Sequence, residues 1–287
     1  MGLNARFLQQ MIWLKSSGYI SSGQKVIEIG AQQLNNSFLK ARHEIESLFR
    51  LFDVPVPTLQ TPIEGTPDHL LAASAPRAGP FYRSLGFDYS CIDIDNDPGS
   101  IALDLNFDTV PDRLAGKFNL ITNFGTTEHV VNQLNAFKII HDLAAPGTIM
   151  LHELPAFGQT NHGFFGYQPK FFDRLARGNG YAVLILDFSW SDVECGLPDD
   201  IRDIVVQFVD TKSRPPYGIS PSAVTAILRK TTAAPFVPPI DLPYGAAAPN
   251  AQMEDRYGRA FQPLPFPSRL AGRVLSTLAR LKRRLTN

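Results

Sequence analysis

The sequence predicts an α/β fold of the doubly wound kind, with a mostly parallel sheet, an antiparallel edge strand and helices on both faces. Three observations predict it. Short apolar runs ("KVIEI", "FDYSCI", "FNLITNF", "TIMLHEL") alternate with segments of helical periodicity, as strands joined by crossover helices do. These runs are mostly apolar and do not alternate strictly, which suits strands buried on both faces. Each run ends in polar or glycine residues, where an open parallel sheet places its ligand.

The elements follow in order. Leu3, Phe7, Leu8, Met11 and Leu14 recur at helical spacing and Gly18 stands where a C-cap glycine belongs, so residues 1–24 are expected to form a separate N-terminal helix. Residues 25–232 form the main domain. Val26 to Ile29 reads as its first buried strand, followed by one helix carrying Phe38, Leu39, Ile45, Leu48 and Phe49. Prolines and glycines punctuate residues 54–80, which read as a lid-like insertion. Phe87 to Asp95 and Ser100 to Leu105 are the next two strands, and Phe118 to Phe124 the fourth. "FGTTEHV" opens a helix with Val130, Leu134, Phe137 and His141 on one face, "APGT" stops it, and "TIMLHEL" follows as a strand. A helix over Phe171 to Arg177, the strand "YAVLILDF", a helix "PDDIRDIVVQF" and the strand "AVTAILRK" complete the domain, the two late strands closing one end of the sheet as an antiparallel pair. Residues 233–268 are a proline-rich arm and residues 269–287 a basic amphipathic helix.

Composition narrows the function. Lys plus Arg and Asp plus Glu both number 27, so the overall balance does not ask for nucleic acid. The last 19 residues hold six cations and no acid, and that helix suits an anionic membrane surface, at the inner face, or an acidic protein, with docking on the chain's own acidic body as the plain alternative. Two cysteines, Cys91 and Cys195, make no disulfide framework and have no zinc spacing, so a reducing cytoplasm is expected. No secretory leader or bilayer-length apolar run is read.

The strand ends carry the chemistry. The first ends in Glu28, Gly30 and Ala31, the second in Asp93, the third in Asp104 and Leu105, the fourth in Asn123, Phe124 and Gly125, and the fifth in His152 and Glu153. A dinucleotide pyrophosphate needs close backbone approach, hence spaced glycines at a helix N-terminus. "GAQQL" has one glycine, which disfavours NAD or FAD. S-adenosyl-L-methionine carries no phosphate and tolerates such a turn. Asp93 is placed to accept from its ribose hydroxyls and Asp104 from its adenine amine, while Asp95 is expected to face solvent.

The ordered series "VIEIGAQ", "YSCIDID", "ALDLN", "FNLITNFGTTEHVVNQ" and "GTIMLHELP" resembles the motifs of class I S-adenosylmethionine-dependent methyltransferases, whose fold is Rossmann-like, over roughly Lys25 to Phe188. The stretch "NHGFFGYQPKFFDRLARGNGY" resembles bacterial members that modify sugars, glycans or metabolites. The resemblance implies cofactor contacts at Glu28, Gly30, Asp93, Asp104 and Asn123. It also implies methyl transfer to an oxygen, or a nitrogen, of a small-molecule or glycan acceptor. The turn departs from the family, which commonly has two or three glycines there. His129, His152 and His162 are the candidates to face the acceptor, as base or as positioning groups. A metal site built from Glu128, His129, His152, Glu153 and His162 is conceivable, since divalent cations assist some hydroxyl methylations, but no ligand spacing is diagnostic and no metal ligand is assigned. His43, His69 and His141 read as structural, and Phe164, Phe165 and Tyr167 as an apolar wall. The competing functions are a nicotinamide-dependent oxidoreductase and a non-catalytic scaffold of the same fold.

Overall fold

The computed structural model describes residues 2–57, 75–94, 99–157, 159, 162–190, 222–242 and 246–261. Six strands form one sheet: β1 (Lys25–Ile29), β2 (Asp88–Ile92), β3 (Phe118–Phe124), β4 (Ala144–Pro155), β5 (Ala182–Trp190) and β6 (Ser222–Arg229), in the spatial order β2-β1-β3-β4-β6-β5. β2, β1, β3 and β4 pair in parallel, and β6 lies antiparallel between β4 and β5. The order reverses direction at β1 and β3, so their carboxyl ends flank the crevice expected of an open doubly wound sheet.

Period-two alternation divides the core. Ile27, Ile29, Ile121, Met150 and Leu154 face one side with Phe137, Phe172 and Leu175, which belong to helices α5 (Gln133–Leu143) and α6 (Pro169–Asn179). Val26, Leu120, Phe124, Ile149 and Leu151 face the other, under α1 (Ala5–Ser16), α2 (Asn36–Lys40), α3 (Arg42–Phe52) and α4 (Ala78–Ser84). On that second face Phe7 of α1 meets Phe124 edge to face at 5.3 Å, and Phe38 meets Phe81 at 5.0 Å. Pairs in this geometry contribute beyond their buried area.

The N-terminal helix is therefore part of the core. Asn4 caps α1 by accepting from the Phe7 amide, and Gly18, at φ 76°, turns the chain beyond its end. Leu3 pairs with Leu34, so the helix is stitched to the chain leaving β1.

Several elements differ from the sequence expectation. The third strand is only a parallel bridge between Ile92 and Ile101. Asp104 instead accepts from the Asn106 amide, local turn bonding that competes with strand pairing. The single helix expected after β1 is split at Ala41 into α2, capped by Asn35, and α3. "TTEHV" is not the start of a helix: Thr127–His129 makes a 3-10 turn, and α5 begins only after the Asn132 cap, which accepts from the Asn135 amide. The arm is extended over residues 231–242 and lies along α6, with Asn179 exchanging bonds of 2.8 and 2.7 Å with the Val237 backbone. It then enters α7 (Ala251–Phe261), a helix the proline content concealed. Most of the expected insertion, Asp95, His69, Cys195, the helix expected near residues 198–208 and the basic tail lie outside the described residues.

Candidate functional site

The turn after β1 is built around Gly30, whose φ is 78°. A Cβ there would lie 2.3 Å from Thr126 Oγ1, so no other residue fits without displacing the β3 loop. Thr126 donates to the Ile29 carbonyl at 2.6 Å, and the Gln32 amide reaches Thr126 Oγ1 at 3.1 Å. Those bonds tie the turn after β1 to the loop after β3.

The backbone donors of this turn are already engaged. Ala31 N donates to Asp93 Oδ2 at 2.8 Å and Gln32 N to Glu28 Oε2 at 3.2 Å. No helix starts at the turn, because residues 33 and 34 pair with Arg77 and Leu3. A pyrophosphate would thus meet two carboxylates and no free N–H cradle.

Glu28 is wholly buried. Tyr89 donates to its Oε2 at 2.7 Å, while burial pushes the carboxyl up to about 7 against the lowering effect of that bond. Burial and the neighbouring Glu28 likewise raise the Tyr89 and Tyr82 hydroxyls far above the usual range, which keeps both as donors. Glu28 Oε1 and Gln32 Oε1 accept no hydrogen bond within 3.5 Å among the described residues, although the Tyr82 hydroxyl is near enough to lower the Glu28 carboxyl. Two unmet acceptors beside the turn suit the ammonium-bearing methionyl end of S-adenosylmethionine, and Asp93 at the end of β2 suits a diol. The residues present fit that cofactor.

Asn123 points into the protein. Its Nδ2 lies 3.0 Å from Thr127 Oγ1 and 3.3 Å from His152 Nδ1, and Tyr167 extends the network to Thr127 at 3.1 Å and Gln133 at 2.6 Å. His152 is buried between Phe137 and Phe172, and burial pushes its imidazole down to about 3. It is a neutral support for Asn123, removed from the crevice surface. Phe124 turns its ring into the α1 face and Leu105 joins the opposite core, so either would reach a ligand through backbone alone or an edge. Gly125, at φ 73°, donates to the Glu153 carbonyl at 3.2 Å. The Glu153 side chain holds α1 instead: Asn4 Nδ2 donates to Oε1 at 2.5 Å and Gln10 Nε2 to Oε2 at 3.3 Å.

His129 and His162 come together, their rings 5.2 Å apart. Both are partly exposed, and burial lowers the His129 imidazole below its ordinary value. Between them sits Glu128, fully buried. Phe157, Phe164 and Phe165, in the loop from β4 to α6, are exposed. His141 is structural as expected, bonded to the Tyr181 hydroxyl at 2.6 Å and the Ala234 carbonyl at 2.9 Å, and His43 is exposed on α3.

Sequence reasoning missed Thr126, Gln32, Tyr82 and Tyr89. The signals available were a hydroxyl and an amide beside the two strand-end glycines, and tyrosines near the second strand. Their partners lie up to 97 positions away, which no local pattern shows.

The family described as "Methyltransferase domain" matches residues 14–185. No curated protein matches the chain in sequence. Among solved structures, a Bacillus halodurans protein is 8% identical over 78% of this chain and 99% of that one, with a TM-score of 0.47. The cyclase SpnF is 11% identical over 79% of this chain and 81% of that one, with a TM-score of 0.40. The trans-methyltransferase CalH, in complex with SAH, is 12% identical over 78% of this chain and 55% of that one, with a TM-score of 0.38.

Proposed function

Since this chain belongs to the methyltransferase-domain family, a class of S-adenosylmethionine-dependent transferases, we propose that it methylates an oxygen, or less readily a nitrogen, of a small acceptor such as a sugar, glycan or metabolite. The observation that carries the cofactor side is the commitment of the Ala31 and Gln32 amides to Asp93 and Glu28. A turn so arranged repels a pyrophosphate and leaves acceptors for a cationic amino acid, which argues against the nicotinamide alternative.

When bound, S-adenosylmethionine supplies an electrophilic methyl on a sulfonium. Asp93 would hold the ribose, Glu28 and Gln32 the methionyl end through their unmet oxygens, and Gly30, Ala31 and Gly125 the surrounding backbone. Asp104 and Leu105 would border the adenine, although Asp104 already serves its own turn. Asn123 would act indirectly, by fixing Thr127 and the loop before α5. His129 and His162 would line the acceptor site and position its hydroxyl, whose proton passes to solvent as the new bond to carbon forms, and His152 would set Asn123 from beneath. The exposed Phe164 and Phe165 favour an acceptor with an apolar or pyranose face. Much of the rate enhancement expected of such a site is alignment of nucleophile and methyl.

The test has two arms. Calorimetry should give binding of S-adenosylmethionine and none of NAD; the reverse result would sink the assignment. Incubation of extract and glycan pools with isotopically labelled cofactor should label a small hydroxyl-bearing product. Cofactor binding with no labelled product from any pool would favour the non-catalytic scaffold.

A further inference from the structure

Glu128 stands buried beside two histidines. Its side chain is 0% exposed, and neither carboxylate oxygen accepts a hydrogen bond among the described residues. An ionised carboxylate taken out of water without a partner costs several kcal/mol, so a group of this kind is normally paired or ligated. Two imidazoles face it. His162 Nε2 stands 3.4 Å from Oε1 and His129 Nε2 stands 3.8 Å from the same oxygen. Both distances exceed the roughly 2.7–2.9 Å of a charge-assisted hydrogen bond. They are close to the ~3.3 Å that separates two tetrahedral ligands each about 2.0–2.1 Å from one ion. The three ligand atoms lie within 4.8 Å of one another.

The scaffold holds the three together. Glu128 and His129 are fixed by the 3-10 turn that the Asn123–Thr127–Tyr167 network supports. The loop that brings His162 is clamped to the same turn, with Phe164 N donating to the Glu128 carbonyl at 2.7 Å. Gly163, at φ 77°, makes that approach possible, because a Cβ there would be 2.7 Å from Glu128 Cγ. Two histidines and one carboxylate, partly open to solvent on the histidine side, form the ligand set of a catalytic rather than a structural ion.

We propose that Glu128, His129 and His162 bind one first-row divalent cation, with Zn2+ the best match to this nitrogen-rich set. The remaining coordination positions take water or an acceptor oxygen. That last role rests on the methyl-transfer reading, where the cation would lower the pKa of a coordinated hydroxyl; binding of the ion itself does not.

The test is titration of the full chain with zinc chloride in a non-chelating buffer. One equivalent should bind, with affinity falling tenfold or more in Glu128→Gln and in His162→Ala, and unchanged in His43→Ala, which removes an exposed histidine elsewhere. Titration of each variant with S-adenosylhomocysteine checks the fold and the cofactor site separately. Should a variant misfold, visible absorption of the wild-type chain after one equivalent of Co2+ decides, since a four- or five-coordinate site gives intense bands. Less than one equivalent of zinc, equal affinity in the folded variants, or no such bands would overturn the proposal. Zinc binding without cofactor binding would leave the metal site standing and remove the methyl-transfer reading.

Discussion

The Tyr89 hydroxyl donates to Glu28 Oε2 over 2.7 Å, from β2 to the strand beside it, and the carboxyl it meets is wholly buried. The bond lowers the carboxyl, yet burial outweighs it and leaves the group near 7, against 4.5 when exposed. The folded state therefore holds this proton more tightly than the unfolded chain. Its contribution to stability is complete below about 4.5 and is lost as pH rises through about 7. The loss is on the order of 3 kcal/mol. Denaturant unfolding between pH 4 and pH 8 should show this decline, and Glu28→Gln should flatten it; an equal slope in the variant would refute the assignment.

Gly30→Ala should both strain the turn and press on Thr126. The residue sits at φ 78°, and its added carbon would fall 2.3 Å from Thr126 Oγ1. A destabilisation of about 1–3 kcal/mol is expected from the backbone alone. Cofactor affinity should drop at least tenfold by calorimetry, and wild-type affinity in this variant would mean that the turn does not shape the site.

Asp93→Ala removes the acceptor for Ala31 N and the group placed to receive the ribose. S-adenosylhomocysteine binding should weaken by tenfold to a hundredfold, with a smaller effect on thermal stability. A variant that melts early yet binds normally would show the carboxylate to be purely structural.

Phe7 joins the N-terminal helix to the sheet through Phe38, Phe81, Tyr82 and Phe124. Phe7→Ala should cost about 3–5 kcal/mol. Asn4→Ala should cost about 1–2 kcal/mol, because it removes both the cap and the bond to Glu153. Chemical denaturation checks the order of the two effects. A negligible loss in Phe7→Ala would mean that the helix is an appendage after all.

Much of the fold was legible because the buried strands announce themselves. "VIEI" and "LITNF" are apolar on both faces, and a strand with no solvent face has few other places to be. The amphipathic pattern of α1 was equally plain, but not its membership of the core. That required seeing Phe124 present an aromatic edge to Phe7 across more than a hundred positions. The third strand was misread because "SIALDL" has strand composition, while Asp104 and Asp108 capture its backbone amides locally.

The sequence by itself determined the alternation of elements, the strand ends at which Glu28, Gly30, Asp93 and Asn123 stand, and the poverty of glycine that disfavours a phosphate cradle. Only the tertiary structure decided how those residues are buried and which partners they meet. It sent Asn123 and His152 inward, tied Gln32 to Thr126, and set His129 and His162 on either side of Glu128. The physical reason is that backbone periodicity and composition are local properties of the chain, whereas burial, and with it the protonation and partnering of each polar group, depends on segments that meet only after folding.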